Sequence, residues 1–191
     1  MSGLTTTPGS TLASRLRSKL APVYGHADTS KSCLLLDLSG SMESPVVFEN
    51  WNGAKRIDEL RKLAADFKDI QRYVFGSTVR PLTPLEDIPG CMGGTNMAAA
   101  FDRVKKDGFT HVVIITDGEP DSQPAALASA IGLKVDCFYV GPDPMPMFME
   151  TLGKATGGSH AKTSLDMRTA LEGKVREKLM LGCAERGAIR L

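Results

Sequence analysis

The sequence predicts an α/β fold: a doubly wound, mostly parallel six-stranded sheet with helices on both faces. Three observations carry that prediction. Segments of strand and helix character alternate through the chain, the pattern of parallel strands joined by crossover helices. Two strand segments, Leu34-Leu35-Leu36 and Val112-Val113-Ile114-Ile115, are continuously apolar, as strands covered on both faces are. A short segment, Val79-Arg80-Pro81-Leu82, follows its predecessor after the tight turn Gly76-Ser77-Thr78. Proline cannot donate to a ladder and tight turns join antiparallel neighbours, so strand 3 is predicted to run antiparallel at an edge. With the common strand order 3-2-1-4-5-6, strands 1 and 4 lie side by side at the switch point.

The elements follow in order. Residues 1–10, rich in Thr, Ser, Gly and Pro, are expected to form a loose tail. Leu12, Leu16, Leu20 and Val23 then recur at helical spacing among Arg15, Arg17 and Lys19, predicting a short basic amphipathic helix. Strand 1 ends on Asp37. After an irregular and unusually apolar stretch, Glu43 to Lys55, a helix places Ile57, Leu60, Ala64 and Phe67 on one face. Gln71 to Phe75 is strand 2 and Val79 to Leu82 strand 3. A loop ends in Gly93-Gly94-Thr95-Asn96, where a helix opens with Met97, Ala100, Phe101 and Val104 inward and stops at Gly108. Phe109 to Thr116 is strand 4, residues 123–131 a helix, Val135 to Val140 strand 5 and Met147 to Ala155 a helix. A short strand near His160 is expected, then a final helix capped by Ser164 that carries Met167, Leu171, Val175 and Leu179. The division this gives is a tail and helix over 1–30, one domain over 31–181 and a tail over 182–191.

Bulk properties narrow the function. The chain has 191 residues, 42% hydrophobic and 24% charged, which is one ordinary globular domain. Its net charge is +1, so no overall field recommends nucleic acid or an anionic membrane. The distribution is uneven: residues 1–31 and 162–191 each carry +3, which leaves −5 between them. No apolar run approaches the roughly 20 residues that span a bilayer. Met1 to Ser10 lacks the basic and apolar regions of a secretory signal. Cys33, Cys91, Cys137 and Cys183 form no CxxC pair, so neither structural zinc nor a disulfide framework is expected. A reducing cytoplasm is the expected compartment. His26, His111 and His160 show no spacing for a metal or a catalytic triad, and His111 is expected simply to open strand 4.

The chemistry concentrates at the end of strand 1. Asp37 is followed by Ser39 and Ser41 at spacing two, with Gly40 allowing a tight curl. Strand 4 ends on Asp117, and Thr95 opens a helix on the same rim. Asp37, Ser39, Ser41, Thr95 and Asp117 thus make a set of oxygen donors with few charges, which suits a hard divalent cation. Turn residues and a helix N-cap are the blander readings of the serines and of Thr95.

Three segments, Asp-Leu-Ser-Gly-Ser-Met (37–42), Gly-Gly-Thr-Asn (93–96) and Thr-Asp-Gly-Glu-Pro (116–120), resemble the three parts of the metal-ion-dependent adhesion site of von Willebrand factor type A domains. The resemblance runs from about Ser32 to Met180 and has the family's order and spacing. It implies that Ser39, Ser41 and Thr95 ligate the cation directly when a partner is engaged, with Asp37 and Asp117 acting largely through water. Mg²⁺ is favoured on availability, with Mn²⁺ and Ca²⁺ as alternatives. The implied function is metal-dependent protein–protein interaction through a partner's Asp or Glu carboxylate. Intracellular members often serve as adaptors or subunits of larger machines, including AAA+ ATPase assemblies.

Phe48, Trp51 and Glu119 are candidate partner contacts beside that rim. The competing readings are a small satellite core for Val46 to Trp51 and a solvated loop acid for Glu119, as for Asp121 and Glu43. An alternative function is a metal-assisted hydrolase or phosphotransferase using the same oxygens. Against it, no general base is evident beyond the ligand set, and no His, Lys or Arg is expected at the crevice to hold a phosphate. The Asp37 loop also lacks a phosphatase's second aspartate and is not a Gly-x-Ser-x-Gly elbow.

Overall fold

The computed structural model describes residues 31–46, 53–141, 143–162 and 172–179. The six strands are β1 (Ser32–Asp37), β2 (Gln71–Phe75), β3 (Val79–Leu82), β4 (His111–Thr116), β5 (Lys134–Tyr139) and β6 (His160–Lys162). Their order is β3-β2-β1-β4-β5-β6. All neighbours pair in parallel except β2 and β3, where Tyr73 faces Pro81 in an antiparallel register. Helices α1 (Arg56–Ala65), α2 (Met97–Lys106), α3 (Gln123–Ala130), α4 (Met147–Ala155) and α5 (172–179) cover the sheet.

Side-chain alternation along the strands splits the core in two. Leu34, Leu36 and Leu38 join Val113 and Ile115 on one face, under Ile57, Leu60, Leu63 and Phe67 of the α1 segment and Val175 and Leu179 of α5. On the other face, Cys33 and Leu35 join Val112 and Ile114 under Met97, Phe101, Ala126 and Leu152. Each such leucine, withdrawn fully from water, contributes about 1.5–3 kcal/mol. Cys33 and Cys137 are buried within this packing, as expected of small hydrophobes. By the same alternation Asp37 continues the Cys33–Leu35 face and Thr116 the Val112–Ile114 face, so these two polar ends meet on adjacent strands.

Helix ends explain where the strands start. Gly108 has φ +87°, and the N–H groups of Gly108 and Phe109 return to the Lys105 and Val104 carbonyls. That closes α2 in a Schellman motif and uses Phe109 as the helix exit. Strand β4 therefore begins at His111 rather than at Phe109. Gly157 closes α4 the same way, with Gly157 and Gly158 donating to Lys154 and Gly153. Among the described residues flanking the stretch expected to be irregular, Gly40–Glu43 forms a 3-10 turn and Pro45 pairs with Lys55 in an isolated bridge. Arg72, buried in β2, ties the end of α1 to the loop after β3 by donating to the carbonyls of Ala64, Thr83 and Pro84.

Among the described residues no helix is long and apolar enough to cross a membrane. The predicted basic helix within 1–30, the Ser164 cap with Met167 and Leu171, and the tail over 182–191 lie outside the described residues.

Candidate metal centre

Three loops meet at the carboxyl edge of β1 and β4. After Asp37 the chain turns, and the Ser39 N–H donates to Asp37 Oδ1 at 2.7 Å. The Gly93 loop docks against this turn: Gly40 N–H donates to the Gly93 carbonyl at 2.7 Å and Met92 N–H to the Leu38 carbonyl at 2.6 Å. The docking requires glycine at 93, where φ is +84° and an added Cβ would stand 2.7 Å from Ser77 Oγ. The same Ser77 oxygen accepts from the Gly94 N–H at 2.8 Å, tying the β2–β3 turn to the loop. Thr95 is then pinned from the third loop, since its N–H donates to Asp121 Oδ1 at 2.9 Å and its carbonyl accepts from the Asp121 N–H. Asn96, not Thr95, caps α2 by accepting from the Ala99 N–H.

The oxygens themselves form a chain. Ser39 Oγ lies 2.9 Å from Ser41 Oγ, and the Ser41 hydroxyl donates to Asp117 Oδ1 at 2.6 Å. The Thr116 hydroxyl donates to Asp37 Oδ2. Asp37, Ser39 and Asp117 are buried, Thr95 is half-buried and Ser41 is exposed, so the cluster opens outward at Ser41. Burial pushes the Asp37 carboxyl up to about 7 against the pull of the Thr116 hydroxyl and the Ser39 N–H, and Asp117 adds a further push.

Four participants lie outside the expected ligand set, and of these only Asp121 is singled out by the sequence, as a loop acid able to tune the site. Thr116 is the hydroxyl neighbour of Asp37, Ser77 braces the glycine loop, and Asp121 positions Thr95. The fourth is Arg56, whose Nη1 donates to Asp117 Oδ2 in an ion pair that is buried on both sides. The expectation from sequence concerned only a cation free to hold a phosphate and did not include one paired with a ligand-set carboxylate. Arg56 is the first residue of α1, where a cation opposes the helix dipole, and no side chain caps that helix. Its backbone N–H donates to the Ser44 carbonyl, so the Pro45–Lys55 bridge is what delivers it to Asp117.

Of the candidate partner contacts, Glu119 is exposed just beyond Asp117 and accepts a hydrogen bond from Gln123 at 3.0 Å. Phe48 and Trp51 lie outside the described residues.

No protein-family model matches the sequence, and curated protein sequences give no match either. Solved structures do resemble the fold. A von Willebrand factor type A protein from Catenulispora acidiphila superposes with TM-score 0.59 at 17% identity, covering 78% of this chain and 41% of its own. The PilB minor pilin from Streptococcus sanguinis gives TM-score 0.59 at 12% identity, covering 81% of this chain and 61% of its own. Proximal thread matrix protein 1 from the mussel byssus, with a zinc-occupied MIDAS motif, gives TM-score 0.54 at 13% identity over 80% of this chain and 45% of its own. The chain therefore spans between about two fifths and three fifths of the structures it resembles. The sheet order, the single antiparallel edge strand and these superpositions make the fold a von Willebrand factor type A-like one.

Proposed function

We propose that the chain is a metal-dependent protein-interaction module without catalysis, recognising an Asp or Glu carboxylate of a partner protein. The observation that carries this reading is the hydrogen-bonded run of oxygens, Ser39–Ser41–Asp117, beside buried Asp37 at the switch point of the sheet. The donor set fits a hard cation, since every candidate ligand is a hydroxyl or carboxylate oxygen. Ser39, Ser41 and Thr95 would hold the cation directly, with Asp37 and Asp117 orienting the hydroxyls from behind. A divalent cation there, Mg²⁺ by availability or Mn²⁺ or Ca²⁺, supplies an electrophilic position that a partner's carboxylate can fill. Hydroxyls dominate the rim, so the chain leaves much of the cation's charge uncompensated.

The exposed approach at Ser41 suits recognition of a protruding acidic side chain. A hydrolase or phosphotransferase is less well supported: the cation nearest the cluster, Arg56, is buried and committed to Asp117, so it is not free to hold a phosphate. The biological setting we favour is an adaptor or subunit of a larger cytoplasmic assembly, of which AAA+ ATPase machines are one type.

The test is capture of partners from lysate with Mg²⁺, with EDTA, and with the Asp37→Ala and Thr95→Ala variants. A partner retained in Mg²⁺ and lost in the other three conditions is expected. Partners that persist in EDTA would overturn the metal bridge, and phosphoesterase activity lost in Asp37→Ala would move the reading to an enzyme.

A further inference from the structure

We infer that Arg56 is a positioning residue of this centre: a built-in cation that holds Asp117 outside the coordination sphere and lowers the affinity for a divalent ion. The inference rests on the metal reading above and deepens it. Both oxygens of Asp117 are engaged, Oδ1 by the Ser41 hydroxyl at 2.6 Å and Oδ2 by Arg56 Nη1. Arg56 is 5% exposed, and its Nε has no hydrogen-bond partner among the described residues. An inward move of Asp117 would therefore strand a buried guanidinium at the positive end of α1, on a group already short of one acceptor. The ion pair keeps Asp117 back, and the Ser41 hydroxyl becomes the relay. Its proton goes to Asp117, so its exposed oxygen accepts from the Ser39 hydroxyl at 2.9 Å and keeps one further acceptor position.

The pair also sets the charge an entering ion meets. With both carboxylates ionised, as a bound cation requires, Asp37 and Asp117 are offset by Arg56, which leaves one net negative charge at the centre. A site so composed binds its ion weakly and leaves it electrophilic, the condition in which an external carboxylate competes well for an open position. Local sequence rules argue against arginine at the first position of a helix with no side-chain cap, and a violated local rule is where a functional constraint is expected.

The test uses Mn²⁺ as the probe, titrated calorimetrically into the unaltered protein and into Arg56→Gln, Asp117→Asn, the double variant and Asp37→Asn. Each unit of charge so close to a divalent ion changes affinity by about tenfold even in a water-like dielectric. Arg56→Gln keeps a donor to Asp117 but loses the charge, so it is expected to bind Mn²⁺ about tenfold tighter. Asp117→Asn is expected to bind about tenfold weaker, and the double variant to return near the unaltered protein. A merely structural arginine would give no such rescue. Unchanged or weaker binding by a folded Arg56→Gln overturns the inference. Should that variant fail to fold, a double variant no tighter than Asp117→Asn overturns it instead. If the unaltered protein shows no Mn²⁺ binding that Asp37→Asn abolishes, the metal reading fails and takes this inference with it. If that binding is present and only the tightening is missing, Arg56 alone loses its role.

Discussion

At the amino end of the sheet Asp136 on β5 has an imidazole, an amide and a hydroxyl around it; at the carboxyl end Asp37 on β1 has an amide and hydroxyls but faces a second carboxylate. Asp136 Oδ2 lies 2.8 Å from His111 Nε2, and its Oδ1 accepts from the Ser159 N–H and hydroxyl at 2.8 and 2.6 Å. His111 Nδ1 in turn lies 3.0 Å from Ser32 Oγ. This network links β1, β4, β5 and the entry to β6 across one face. Burial pushes Asp136 up, but the bonds from His111 and Ser159 outweigh it and leave the carboxyl below the usual range. Asp37 moves the other way, chiefly through its own complete burial, which the bonds from Thr116 and Ser39 do not offset and to which the Asp117 carboxylate adds. One end is a finished polar network that staples strands together. The other is an acceptor-rich cluster of the kind that positive charge from outside would complete.

The sharpest way to break this contrast is to remove one group from each end. His111→Ala leaves the buried Oδ2 of Asp136 without its imidazole partner and is expected to cost about 3 kcal/mol in urea unfolding, with Mn²⁺ affinity unchanged. Asp37→Ala should do the reverse, abolishing Mn²⁺ binding while costing less stability than His111→Ala when both are unfolded in EDTA, because that buried carboxylate has no cationic partner among the described residues. Equal destabilisation by the two variants would show that both ends are structural.

A smaller effect comes from pH. Asp136 has a lowered carboxyl in the folded state, so its contribution is fully present above the unfolded value of 3.8 and is lost as pH falls below it. Urea midpoints measured downward from about pH 5 should fall in the unaltered protein. The fall should be shallower in Asp136→Asn, which has no carboxylate to protonate. Parallel slopes in the two proteins would remove Asp136 as the group responsible.

What the sequence disclosed follows the same division between local and distant signals. Strands β2 and β3 and helix α4 have the bounds expected from their apolar runs and turn residues, and Pro81 correctly marked the antiparallel edge. The meeting of Ser39, Ser41 and Asp117 beside Asp37 was legible because Asp37, Ser39 and Ser41 are close in the chain and Asp117 follows an unmistakable buried strand. His111 was expected only to open its strand, and it does. Its partners Ser32 and Asp136, however, lie 79 and 25 residues away and share no local pattern with it. Arg56 reaches Asp117 across 61 residues through a bridge between Pro45 and Lys55 that no periodicity announces. Only its misplacement at a helix start was a visible hint.

Asp121 is the smallest and most discriminating case, because the sequence offers it as one more loop acid and its side chain is exposed. Its carboxylate takes the Thr95 N–H, and its backbone returns a bond to the Thr95 carbonyl, so the β4–α3 loop fixes where the Thr95 hydroxyl stands. Gly94 makes room for this approach: a Cβ there would lie 3.0 Å from Asp121 Oδ2. Removing a group that orients a ligand from behind typically costs about tenfold or more in metal affinity. Asp121→Ala is therefore expected to weaken Mn²⁺ binding by about tenfold while the melting temperature in EDTA barely moves. Asp121→Asn, which retains an acceptor for the Thr95 N–H, should recover most of the loss. If the alanine variant binds Mn²⁺ as tightly as the unaltered protein, the position of Thr95 does not depend on this loop. The carboxyl end would then be organised by the docking of Gly93 on Gly40 alone.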